Sequence, residues 1–271
     1  MKESFQYSIP PEVFVMCLLL LALDTHPSFK LVLAANRDEY YNRPAAPPSF
    51  WKDAPHLLAG RDLAGGGTWL GITRHGRIAA VTNYRDPASF KKEAPSRGKL
   101  VTDFLLGKDS PSDYLETIRS DAGRYNGFNL LVGEKDRLSW TSNRSDRIVL
   151  LSPGIHGVSN RLLNTPWPKT VRGKELLAEV LKGRSGPSSD SLFNLLQDRH
   201  QPPDEELPST GVRLEWERVL STIFIKSPDY GTRCSTLLYI DRNDRVTFVD
   251  RTFDSGSGHF ETREFEFDLE T

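Results

Sequence analysis

The chain has 271 residues, 38% hydrophobic and 26% charged, with a formal net charge of −1. This is the balance of a globular protein with one large domain or two small ones, and near-neutrality removes any global electrostatic drive toward nucleic acid or anionic membrane. Only two cysteines are present, Cys17 and Cys234; that excludes a disulfide-dense secreted scaffold, fits a reducing, cytoplasmic location, and leaves one long-range disulfide open.

Residues 1–15, MKESFQYSIPPEVFV, carry a Pro-Pro step and no clear period. They read as an extension outside the domain, whether from a start codon placed upstream of Met16, a removable propeptide or a true appendage. The apolar run Val13–Leu23 is shorter than the roughly 20 residues a membrane span needs. Lys2 is offset by Glu3 and Glu12 and no small-residue cleavage site follows, so a signal peptide is the weaker reading and a buried strand the stronger. No transmembrane segment is expected. Leu18–Leu23 and Lys30–Ala35 flank the turn-rich Asp24–Ser28 and predict a hairpin covered on both faces.

Residues 40–60 contain Pro44, Pro47, Pro48 and Pro55 and predict an extended surface loop. Gly65–Ile72 and Arg77–Asn83 form a second hairpin; the triple glycine lacks a following Lys-Ser/Thr and serves close backbone packing rather than phosphate binding. Lys91, Lys92, Arg97 and Lys99 read as a solvated basic loop, with contact to an anionic group as the lesser alternative. Leu100–Leu106 is helical, and Ser110 caps a second helix that has Pro111 at its first position. Strands follow at Phe128–Val132, Leu138–Thr141, Ile148–Leu151 and His156–Ser159. Helices are predicted over Pro168–Leu181 and Ser191–Gln197, with Asp190 as the second one's N-cap. Leu214–Ile225 is ambiguous between helix and strand. Ser235–Ile240, Val246–Arg251 and Glu261–Phe267 close the chain as strands. The layout predicts an α+β protein, two antiparallel sheets with helices packed on them, in a single domain over residues 16–271.

The six histidines show no metal-type spacing, and neither a Gly-x-Ser-x-Gly elbow nor a dinucleotide glycine pattern occurs. No metal or resident cofactor is expected. Cysteine chemistry remains. A thiol needs a base to become a nucleophile near neutral pH. If translation starts at Met16 and that methionine is trimmed, as a small second residue favours, Cys17 carries its own base: an α-amine with an ordinary pKa of about 7.7–8.0. The plain alternative is a small core residue in an apolar strand. Cys234 reads as such a buried strand residue, and Trp69 and Trp167 as packing or pocket wall.

Met16-Cys17, Asn36-Arg37-Asp38-Glu39, Gly66–Gly71, Val81–Arg85, Gly157–Asn160 and Tyr230–Arg233 occur in an order that resembles the NRDE family, also called the transport and Golgi organisation protein 2 family, from Met16 to about Phe253. That family generally begins at the Met-Cys pair. It is in turn similar to N-terminal nucleophile hydrolases of the bile-salt hydrolase and penicillin acylase group, which implies a four-layer αββα fold. The resemblance implies Cys17 as nucleophile with its freed amine as base, Arg37 and Asp38 beside it, Asn83 and Asn160 as site amides with Asn160 the oxyanion donor, and Arg233 as a late arginine. Arg37 and Asp38 are adjacent here but separated in the hydrolases, which makes Asp38 the looser correspondence. The expected function is hydrolysis of a small linear, non-peptide amide. The alternative is a non-enzymatic protein that binds and moves haem or an acyl-lipid such as acyl-CoA, linked in the family to secretory-pathway and Golgi organisation, with haem as cargo rather than cofactor. A purely structural role for the motifs is the weakest option.

Overall fold

The computed structural model describes residues 16–183, 186–254 and 259–270. Every residue of β1 (Met16–Leu23) is buried, as its unbroken apolarity requires of a strand covered on both faces. It turns through Asp24 into β2 (Phe29–Tyr40), antiparallel to it, with Met16 opposite Asp38 and Cys17 opposite Arg37. The proline-rich stretch is not the loop expected from its composition. It forms β3 (Ala45–Trp51) and β4 (Ala54–Asp62). Pro47 and Pro48 are accommodated because β3 is an edge strand and the pairing slips between Ala46 and Ser49, so their missing N–H groups interrupt no central ladder.

β5 (Leu70–Thr73) and β6 (Arg77–Asn83) form the predicted second hairpin, with β5 starting at Leu70 rather than at the glycines, which lie in the turn before it; then come α1 (Gly98–Leu106) and α2 (Pro111–Asp121). The Ser110 side chain accepts from the Asp113 N–H, the N-cap contact foreseen for α2. Next come β7 (Phe128–Glu134), β8 (Arg137–Ser142), the short β9 (Val149–Leu150) and β10 (Gly154–Val158). Of α3 (Pro168–Val180) and α4 (Ser189–Leu196), the latter is capped by Ser188, two residues before the expected Asp190, which instead lies in the first turn. The ambiguous segment resolves into α5 (Leu214–Leu220) followed by irregular chain. β11 (Tyr230–Asp241), β12 (Arg245–Phe253) and β13 (Phe260–Asp268) complete the molecule.

The strands form two sheets, ordered β10-β1-β2-β11-β12-β13 and β3-β4-β5-β6-β7-β8-β9, with every pairing antiparallel. Leu19, Leu21 and Leu33 of the first pack against Leu58, Ile72 and Leu131 of the second in a central core. Leu18, Leu20 and Val32, on the opposite face, pack under Leu177, Leu192 and Phe193 of α3 and α4. Leu100, Phe104 and Leu115 of α1 and α2 cover the outside of the second sheet. This is the four-layer αββα sandwich. Because strand side chains alternate between faces, Cys17 and Arg37 belong to the inter-sheet side, Met16 and Asp38 to the helix side.

Among the described residues no helix is long and apolar enough to cross a membrane. Both cysteines are free. Each lies opposite Arg37, from the two strands flanking β2, so their backbones are about 10 Å apart by strand spacing. A disulfide needs less than about 7 Å.

The triple glycine serves the close packing read from the sequence: a Cβ on Gly67 would lie 2.6 Å from the backbone of Gly98, where α1 starts. Gly67→Ala is expected to destabilise the protein by about 1–3 kcal/mol in urea unfolding. Gly123→Ala, where a Cβ meets nothing within 4 Å, should stay close to wild type.

Candidate active site

Cys17 is 4% exposed and lines a cavity of about 320 Å³, at the small end of the usual range for small-molecule sites. Residues of both sheets and of the segment entering α1 form its wall, among them Arg37, Glu39, Asn83, Arg97, Arg233 and Cys234. The thiol is pushed up to about 12, first by burial and then by the Asp38 charge, while Arg37 and the Asp38 backbone N–H pull the other way. Desolvation wins, so at neutral pH the sulfur carries its proton. Cys234 is partly exposed rather than buried, and it too is raised well above its ordinary value by burial.

Arg37 faces the cavity, with Nη2 3.4 Å from Glu39 Oε2. Glu39 is 3.4 Å from Arg43 Nε as well and accepts from the Tyr40 N–H through Oε1. Arg233 is directed by a β-bulge: the pairing of β11 with β2 slips between Thr232 and Cys234, leaving Arg233 as the extra residue. Bulges re-aim side chains in this way. Its Nη1 donates to the carbonyls of Tyr40 and Arg43.

Asp38 lies on the other face of the same strand. Its Oδ1 accepts from the Thr232 hydroxyl at 2.6 Å. Its Oδ2 is buried with no partner among the described residues. Burial raises this carboxyl to about 6 against the opposing pull of Lys169, Thr232 and Arg37. Lys169, buried at the start of α3 with Nζ 3.5 Å from Asn160 Oδ1, is lowered to about 8 by burial, with the Asp38 charge opposing. Nothing in the sequence reading singled it out. The one signal available is that a cation in the first turn of a helix opposes the macrodipole.

Arg85 and Glu217 form a second buried pair, Nη1 to Oε2 at 2.6 Å. Arg85 Nη2 lies 3.4 Å from Met16 Sδ, and the guanidinium sits 4.9 Å from the centre of the Trp167 ring. Trp167 is therefore wall to this cluster, while Trp69 lines the cavity. Met16 is fully buried among Leu220, Ile225 and Tyr230, and its N–H donates to Tyr230 Oη at 2.8 Å. Of the two asparagines, Asn83 reaches the cavity wall. Asn160 is fully buried and set back: Nδ2 donates to the Asn83 carbonyl at 2.9 Å, and Oδ1 lies 2.8 Å from Ser159 Oγ. No cluster of three or more metal-binding side chains occurs among the described residues.

The fold is of the four-layer αββα class, like that of the N-terminal nucleophile hydrolases, with a cysteine near the start of a strand in the first sheet. Residues 16–255 match the sequence profile of the family described as Transport and Golgi organisation 2. The Transport and Golgi organization protein 2 homologs of Bos taurus and Homo sapiens are 37% and 34% identical to it over 279 and 277 residues, in each case 94% of this chain and 100% of the relative. The chain belongs to the Transport and Golgi organisation 2 family. Similar solved structures include the Caenorhabditis elegans ortholog of N-acylethanolamine-hydrolyzing acid amidase (TM-score 0.49, 12% identity, 82% of this chain and 92% of that one) and a conjugated bile acid hydrolase from Clostridium perfringens (TM-score 0.48, 10% identity, 94% and 92%).

The carboxyl of Asp38 has a testable thermodynamic signature. An acid raised in the folded state, here from 3.8 to about 6, holds its proton longer than in the unfolded chain, so stability falls as pH rises through that interval. Lys169 titrates above it. In the chain that retains Met16, Asp38→Asn is expected to remove this share of the slope, roughly 2 kcal/mol between about pH 4 and about pH 7, in urea unfolding at the two pH values.

Proposed function

We propose that this protein is a cysteine amidohydrolase whose working form begins at Cys17. The observation that carries this reading is the unpartnered, buried Oδ2 of Asp38, opposite Met16 in the β1–β2 register. With Met16 attached, the Cys17 nitrogen is an amide and offers no base. With Met16 removed it is an amine, and its ammonium form supplies the hydrogen-bond donor that Asp38 Oδ2 lacks.

In the reaction, the amine takes the thiol proton and the sulfur forms a bond to the carbonyl carbon of a small, linear, non-peptide amide. The tetrahedral oxyanion sits against Asn83, which faces the cavity and is braced by Asn160 through its carbonyl. We therefore move the oxyanion contact expected of Asn160 onto Asn83. As the C–N bond breaks, the ammonium returns its proton to the leaving nitrogen. A water deprotonated by the same amine then attacks the thioester, releasing the acid and regenerating the thiol. Arg37, across from Cys17, favours the thiolate. Arg233 holds the chain at Tyr40 and Arg43, which carries the partners of Glu39. Free thiols accord with the reducing cytoplasm as its place of work.

A second reading keeps the cavity without the turnover. While Met16 is attached, the thiol is held protonated, and the pocket would then hold its ligand without cleaving it, as a carrier of haem or an acyl-lipid does.

The mass and N-terminal sequence of the protein made from its own gene separate the two. The expected mature chain starts at Cys17 and hydrolyses members of an amide panel. Cys17→Ala should lose at least about 10³-fold in kcat/KM, with Cys17→Ser also impaired. An active form that retains Met16, or ligand binding and cellular function indifferent to Cys17→Ala, would establish the carrier instead.

A further inference from the structure

The cavity wall carries six cationic side chains, Arg37, Arg43, Arg61, Arg97, Arg233 and Lys92, against two carboxylates, Glu39 and Asp62. Two of the cations are committed. Arg43 grips Asp62 through Nε and Nη2 at 3.0 and 2.8 Å, and Arg61 is turned to Asp53. Glu39 is shared between Arg37 and Arg43 at 3.4 Å each.

Arg97 and Arg233 have no carboxylate partner among the described residues. Arg97 donates Nη1 to the Gly127 carbonyl at 3.0 Å, and Arg233 donates Nη1 to two carbonyls. Each guanidinium has five N–H donors in a planar fork, so an edge suited to a bidentate oxyanion remains on both.

Withdrawing a cation from water without a counter-charge is unfavourable. Burial lowers Arg97 to about 10, and Arg43 pushes it the same way, while the nearby Cys17 and Glu39 oppose. Arg233 is lowered by burial and then by Arg37. The two cations therefore crowd like charges beside the nucleophile. At the same place α1 begins with no side chain capping its N-terminus, and Ser96, Arg97 and Gly98 line the cavity there. The positive end of that helix adds to the excess.

We infer that the molecule the cavity takes carries an anionic group, a carboxylate or a phosphate, which Arg97 and Arg233 receive while the amide carbonyl lies against Cys17. The position of the carbonyl rests on the amidohydrolase reading; the anion site does not. The apolar wall of Trp69, Val81 and Phe90 takes the uncharged remainder. The basic cluster of the sequence is thereby divided. Lys92 and Arg97 face the cavity, whereas Lys91 donates to the Gly123 carbonyl and Lys99 pairs with Asp103 outside it.

The test is equilibrium binding to the Cys17→Ala protein, which cannot turn over. The probes are N-hexanoylglycine against the neutral N-hexanoylglycinamide, and the phosphate monoester of N-hexanoylethanolamine against its parent alcohol. At least one acid is expected to bind about 10-fold or more tighter than its neutral twin, with the gap narrowing in high salt. The tighter acid names the headgroup. In the same background Arg97→Gln and Arg233→Gln should each lose most of that advantage, and Lys99→Gln, on the outer side, should keep it. Equal binding of acids and neutral twins, or no binding of either acid, overturns the inference without any need for the arginine variants. Equal losses in Lys99→Gln and the cavity variants also overturn it. Selective acid binding without hydrolysis by the Cys17 form would sink the enzyme and leave the anion site standing.

Discussion

The register of β1 against β2 is the constraint on which the site depends. It sets Cys17 across from Arg37 and Met16 across from Asp38, and strand alternation then sends the two pairs to opposite faces of one sheet. The thiol and its arginine look into a cavity between strands. The carboxylate looks toward the helices, where Thr232 and Lys169 meet it. Adjacent residues thus serve two compartments on either side of one backbone, and the nitrogen of Cys17 lies in the sheet plane between them. A one-residue slip would exchange the compartments and separate the thiol from every partner it has.

Desolvation is the dominant electrostatic effect at this end of the fold. It raises Cys17, Cys234 and Asp38 and lowers Lys169 and Arg97, in each case outweighing the neighbouring charges. The contrast with Arg85 and Glu217 is instructive. There, too, both groups are buried, but they meet at 2.6 Å, and Glu217 bonds Thr210 through its other oxygen. Although Arg85 Nε is left without a hydrogen-bond partner among the described residues, the two charges of that pair are matched within the chain. Asp38 Oδ2 and the forks of Arg97 and Arg233 are not, and incompleteness of this kind marks a place arranged for something else. The three lie on the two sides of Cys17, one where its amine would sit and two where a ligand would.

Much of the fold was legible because it rests on local regularities. The apolar run at Leu18 is a doubly covered strand, Ser110 is a cap, and Gly67 permits a backbone contact. The misreadings also have local causes. Prolines at 47 and 48 suggest a loop unless the strand is known to be an edge, and Ser188 and Asp190 compete for one cap with nearly equal chemistry. At the site, Cys17, Arg37, Asn83 and Arg233 do reach one cavity, while Asp38 and Asn160 stand behind it. Lys169, Arg85 and Glu217 were hidden because their importance comes from who surrounds them. Lys169 and Asp38 are remote in sequence, and no periodicity relates them.

By itself, then, the sequence determined most of the strands and helices, though not β3, β4 or α5, together with the covered faces of β1 and β2, the family motifs and the presence of one cysteine near the head of the first strand, since these depend on spacing along a short piece of chain. The tertiary structure alone decided which charges are paired. Whether a buried carboxylate or a half-buried guanidinium finds its counter-charge is set by long-range packing of strands and helices, and it is that accounting which leaves Asp38 open on one side of Cys17 and Arg97 and Arg233 open on the other.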